Sequence, residues 1–215
     1  MEKISQIVNR VLAQADPRAP TTPTPRALSI LLSEPLQAFE TLEDPILEKM
    51  KHEAQEFLID ISAKQKPRWL SYCGISGTGK TFLAKRIRTA ANRIPHMINH
   101  DKLLNPVMFQ FWPDLLGHLR YQEFWRMDDI AEANLVVFDE IAIDHDPSGF
   151  AADKLCQMLS RRVGKWTLIT SNWTLSRIQE IDPRIASRMV RDKSVVVGCD
   201  TVDYATRNYR KPYKD

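Results

Sequence analysis

The chain has 215 residues, 43% hydrophobic and 27% charged, which suits a soluble globular protein with one sizeable domain and a short appendage. Its net charge of +3 permits nucleic-acid binding without demanding it. No apolar run approaches the ~20 residues that span a bilayer, and MEKISQIVNRVLAQAD lacks the pattern of a secretory signal, so the expectation is a cytoplasmic protein with no membrane partner.

Residues 2 to 14 place Ile4, Ile7, Val8, Val11 and Leu12 at helical spacing. Residues 17 to 25, PRAPTTPTP, exclude regular structure and read as a linker. The first helix therefore either docks on a partner or folds back on the main domain. A second helix is expected over 44 to 64, with Ile46, Met50, Ala54, Phe57 and Leu58 on one face. Strands and helices then alternate. Strands are expected at 69–73, 107–112, 135–141, 166–170 and 194–198, and helices at 81–91 and 150–163, with Pro113 marking another helix start. Apolar strands separated by helices imply a parallel sheet covered on both faces. Cys73, Cys156 and Cys199 show no paired spacing for zinc and read as buried free thiols.

Gly74-Ile75-Ser76-Gly77-Thr78-Gly79-Lys80-Thr81 fits the pattern G-x-x-x-x-G-K-[ST], after an apolar strand and before a helix, with Phe82 next. Its glycines let the backbone turn tightly and aim N–H groups at a phosphate chain, and the helix adds its positive end. Lys80 is expected to neutralise the β- and γ-phosphates of ATP, and Thr81 to hold Mg²⁺.

Asn134-Leu135-Val136-Val137-Phe138-Asp139-Glu140 is an apolar strand ending in two carboxylates. Asp139 suits the magnesium side, and Glu140 can orient an attacking water as general base. A nucleotide kinase needs no such glutamate, so the pair favours hydrolysis. Leu168-Ile169-Thr170-Ser171-Asn172 ends polar, and Asn172 would lie beside the γ-phosphate if this strand sits between the first and third. Arg184 and Arg188, four residues apart, share a helical face. An arginine there reaches a neighbouring copy's phosphate more easily than its own.

GISGTGKT, LVVFDE, LITSN and RIASRM, in this order, resemble the AAA+ ATPases, and more narrowly the DnaC/IstB group of helicase loaders and transposition helpers. Leu36-Gln37-Ala38-Phe39-Glu40 and Val195 to Tyr204 are similar to the segments that open and close that group's domain. The resemblance implies a three-layer α/β P-loop NTPase fold with a five-stranded parallel sheet in the order 5-1-4-3-2 and no C-terminal lid domain. It implies an arm over 1–16, a linker over 17–35, the ATPase domain over 36–208 and a basic tail over 209–215. It implies roles for Lys80, Thr81, Asp139 and Glu140 as above, Asn172 as a sensor, Arg188 as an arginine finger and Arg184 as its auxiliary. Self-assembly around DNA follows, with a replicative helicase as partner, or a transposase in the alternative group. The short region ahead of the domain departs from helicase loaders. Two other classes remain: a monomeric small-molecule phosphotransferase, and a scaffold that binds nucleotide without turnover.

Residues 114 to 126 face the pore in this group. Here Arg120, Tyr121, Phe124, Trp125 and Arg126 mix cations with aromatic faces, as single-strand binding requires. The same stretch also reads as one helix with Leu115, Leu116, Leu119 and Trp125 in the core. The tail Arg207 to Lys214 is a second basic-aromatic stretch, or a solubilising end. Asp144-His145-Asp146 reads as a polar turn.

Overall fold

The computed structural model describes residues 44–97, 106–142, 148–201 and 203. The expected N-terminal helix, the linker, Leu36 to Glu40, Asp144 to Asp146 and the basic tail lie outside the described residues.

Helix α1 (Pro45–Ser62) starts where Asp44 accepts a hydrogen bond from the Ile46 N–H at 2.9 Å and Pro45 pre-sets the first turn. Leu47, Met50, Ala54, Phe57, Leu58 and Ile61 form its buried stripe. Strand β1 (Trp69–Cys73) is buried throughout and runs into the glycine loop, which ends at helix α2 (Lys80–Ala91). Strand β2 (Val107–Phe111) hands over to helix α3 (Trp112–Arg120), one residue earlier than expected, with Pro113 in its first turn. Helix α4 (Trp125–Glu132), strand β3 (Leu135–Asp139) and helix α5 (Phe150–Arg161) follow. Strand β4 (Trp166–Ser171) leads to two short helices, α6 (Leu175–Ile181) and α7 (Pro183–Met189), and the last strand is β5 (Val195–Gly198).

The five strands are parallel, in the order β2-β3-β4-β1-β5, which is the expected 5-1-4-3-2 read from the other edge. Alternate residues face opposite ways. Leu70, Tyr72, Leu135, Val137, Leu168 and Val197 pack with α1 and α2. Trp69, Cys73, Val136, Phe138 and Ile169 pack with α3 to α7 on the other face. Tyr72 also ties the layers, its hydroxyl donating to the Met50 carbonyl at 2.8 Å.

Two expectations are corrected. The stretch 114–126 is not one helix: Gln122 adopts φ 65°, which ends α3 and re-phases the chain before α4. Leu115 and Leu119 are buried, but Trp125 is 57% exposed. The third strand stops at Asp139, because Glu140 enters the left-handed region at φ 56°.

Arg162 is fully buried, and among the described residues its guanidinium makes no salt bridge. It donates to the carbonyls of Ile130 (3.1 Å), Ala131 (3.3 Å), Ala133 (2.5 Å) and Trp166 (2.6 Å), closing the C-terminal end of α4 against the start of β4.

Candidate nucleotide-binding site

The C-terminal ends of β1, β3 and β4 meet at one edge of the sheet. The register pairs Cys73 with Ser171 and Phe138 with Ile169, so the glycine loop, Asp139 and Thr170 emerge side by side. Open α/β sheets bind ligands at this edge, beside the strand where the order reverses. Here that strand is β1, which carries the loop.

Gly77 and Gly79 take φ of 76° and 87°, conformations that a side chain would strain. The loop thereby delivers Lys80 to the first turn of α2. The Lys80 ammonium is buried and donates to the carbonyls of Gly74 (2.9 Å) and Ile75, and to Thr78 Oγ1 at 3.4 Å. Burial pushes its pKa below the usual lysine range. Ile75, Ser76 and Gly77 are exposed, and Phe82 carries the Arg86 guanidinium 5.5 Å above its ring.

Asp139 is 2% exposed. Its Oδ1 accepts from Thr81 Oγ1 at 2.9 Å and from Thr170 Oγ1 at 2.6 Å. A hydroxyl and a carboxylate oxygen standing together beside the loop suit Mg²⁺, which takes few protein ligands and fills its sphere with water and phosphate oxygen. Thr170 does a second task. Its Oγ1 accepts from the Glu140 N–H at 2.9 Å, and its carbonyl accepts from the Ile141 N–H at 2.9 Å. The left-handed turn at Glu140 costs on the order of 1–2 kcal/mol, and Thr170 holds both sides of it.

Asn172 stands exposed just beyond β4. Arg184 and Arg188 are on α7. Arg188 borders a hollow with Pro67, Trp69 and Ser194, at the starts of β1 and β5. The length of β1, about 16 Å, separates that edge from the loop. Its Nε donates to Ser160 Oγ at 2.9 Å and its Nη1 to the Arg184 carbonyl at 2.8 Å. Arg184 Nη2 pairs with Asp153 at 2.9 Å and Asp182 at 2.7 Å, and this hydrogen bonding holds the Asp182 carboxyl below the usual carboxylate range. Arg120 and Tyr121, 84% exposed, end α3, and Arg126 lies over the Trp125 ring at 4.8 Å while pairing with Glu123 at 2.7 Å.

No protein-family model matches the sequence, and no curated protein matches it. Solved structures do match. A crystal structure of DnaI superposes with a TM-score of 0.57 at 18% identity, over 75% of this chain and 86% of that one. The DnaC helicase loader gives 0.58 at 14%, over 74% and 92%. AMPPCP-bound DnaA from Aquifex aeolicus gives 0.56 at 14%, over 74% of this chain and 48% of that one. The chain has the AAA+ P-loop fold. The sequence motifs lie on the β1–α2 loop and at the tip of β3.

Sequence reasoning passed over Thr170, quoted only as the residue before Ser171-Asn172. A threonine inside an apolar strand signals little until its neighbours are known. The cysteines behave as expected: all three are buried and free, and burial pushes Cys73 and Cys199 up to about 12, so they stay protonated. Among the described residues, no helix is long and apolar enough to cross a membrane.

Proposed function

We propose that this chain is an ATPase that works in assemblies of itself on DNA, most nearly as a replicative-helicase loader. The observation that carries the reading is the cluster of phosphate loop, Asp139 and Glu140 at one sheet edge, with Arg188 at the other. The fold shared with DnaI and the DnaC helicase loader supports it.

ATP enters with its phosphates along Gly74 to Thr81. Lys80 leaves the loop carbonyls for the β- and γ-phosphates, a favourable exchange of neutral acceptors for charged ones. Thr81 and Asp139 hold Mg²⁺, which offsets the phosphate charge when bound. Glu140 orients the attacking water and takes its proton, while Asn172 fixes that water from β4. Beyond Lys80, the charge spread over the γ-phosphate in the transition state calls for a further cation. Arg188 from an adjoining copy supplies it, so turnover depends on assembly. Single-stranded DNA meets Arg120, Tyr121 and Arg126, where exposed rings and cations alternate.

The test measures ATP hydrolysis and particle mass together, with and without single-stranded DNA, for the parent, Glu140→Gln and Arg188→Ala. Both variants should lose at least about tenfold in turnover. Mixing them should restore part of it, because an intact Glu140 then meets an intact Arg188. A monomer in which Arg188→Ala matches the parent refutes the shared site and favours a small-molecule phosphotransferase. Binding without turnover favours a scaffold.

A further inference from the structure

After β5 the chain turns back across the phosphate loop. The Cys199 N–H donates to the Cys73 carbonyl at 2.7 Å, extending the β1 pairing one residue past the strand. A Cβ placed on Gly74 would stand 2.8 Å from Asp200 Oδ1 and 2.8 Å from the Cys199 carbonyl carbon. The Thr201 hydroxyl donates to Asp44, the residue that caps α1. Two residues on, the half-buried Asp203 lies against Gly77, and a Cβ there would overlap its carboxylate. Glycine at 77 therefore admits both the turn and the carboxylate.

An aspartate is a costly neighbour for this loop once a nucleotide arrives. The loop's N–H groups and Lys80 gather negative charge, and a triphosphate brings several charges of its own. Like charges facing each other in one site repel. Cys199 and Thr201, both ahead of Asp203 in the chain, tie down the stretch that delivers its carboxylate to Gly77. Meanwhile Lys80 bonds to its own loop's carbonyls.

We propose that Asp203 is an anionic latch on the phosphate loop, pressed on Gly77 until the phosphates of a nucleoside triphosphate displace it. This rests on the loop being a nucleotide site. The latch lowers resting affinity. It also links occupancy to Asp200 and Thr201 after β5 and, through Thr201 and Asp44, to the head of α1.

The experiment titrates ATP, and then AMP, into the full chain and into Asp203→Asn, which keeps size and removes charge. Thermal unfolding without nucleotide establishes that the variant is folded, and Asp203→Ala repeats the measurement with the side chain cut back. Both variants should bind ATP about tenfold tighter than the parent, the scale of one like-charge contact removed from a partly solvated site. The gain should shrink for AMP, which presents less charge. Equal or weaker ATP binding by folded Asp203→Asn overturns the latch. Lys80→Ala separates the two levels. If the parent binds ATP, Lys80→Ala does not and Asp203→Asn equals the parent, only the latch falls. If no form binds nucleotide, the site reading falls with it.

Discussion

Replacing Thr170 with valine removes one oxygen and keeps the shape. The site is fully buried, so no water replaces the hydroxyl. Asp139 Oδ1 loses its 2.6 Å donor, and the Glu140 N–H loses its 2.9 Å acceptor. A hydrogen bond to a charged group contributes about 1.5–3 kcal/mol, and a stranded N–H costs about 1–3 kcal/mol, less where it is partly solvated. Relaxation of the Glu140 turn gives back about 1–2 kcal/mol. The net expectation is a loss of about 2–3 kcal/mol, read as a lower urea midpoint with an unchanged slope. Turnover should fall at least about tenfold with KM nearly constant, because the loop is untouched and only the carboxylates' aim is lost. Thr170→Ser should recover most of both. If Thr170→Val matches the parent within ~0.5 kcal/mol and in turnover, the bridge contributes nothing. If serine is as poor as valine, the hydroxyl alone does not suffice and the methyl group is needed as well.

Arg162→Met should destabilise the fold by about 3–5 kcal/mol, since the carbonyls of Ile130, Ala131, Ala133, Asn134 and Trp166 lose a buried cationic donor, and a thermal melt reads it directly. Tyr72→Phe frees the Met50 carbonyl and should cost about 1 kcal/mol in a urea titration, with nucleotide binding unchanged. Asp182 has a depressed carboxyl pKa, so its contribution is fully present above the ordinary carboxylate range and disappears as pH falls through the depressed value. Asp182→Asn should therefore narrow its stability gap from the parent as urea midpoints are taken from pH 7 toward pH 3.

The legible parts of the sequence were those where local chemistry and fold agree. GISGTGKT needs its glycines wherever it occurs, and the apolar run before it must be a buried strand. LVVFDE marks a buried strand with carboxylates at its tip, although its expected end at 141 overran the turn at Glu140. The less legible parts depend on distant neighbours. Residues 114–126 have helical spacing throughout, but the break at Gln122 leaves Trp125 outside the core, and Glu123 takes up both His118 and Arg126 at that corner. Thr170 matters because β4 pairs with β3, a contact 30 residues away in sequence. Arg162 reads as one more surface cation until the carbonyls around it are in place. Asp203 carries no signal at all in a polar stretch; only the crossing of the loop gives it a neighbour.

On the proposed shared site, the loop at one edge of the sheet and Arg188 at the other would give each chain a head and a tail. Contacts of that kind are heterologous, and each copy added presents the same unmet surface as the last. In an open row of n copies, n − 1 loops face an arginine and the terminal one does not. Specific activity should then climb with row length as (n − 1)/n, steeply at first and then hardly at all. Closing the row into a ring would add only the last 1/n, and the step from one chain to two would carry half of the switch.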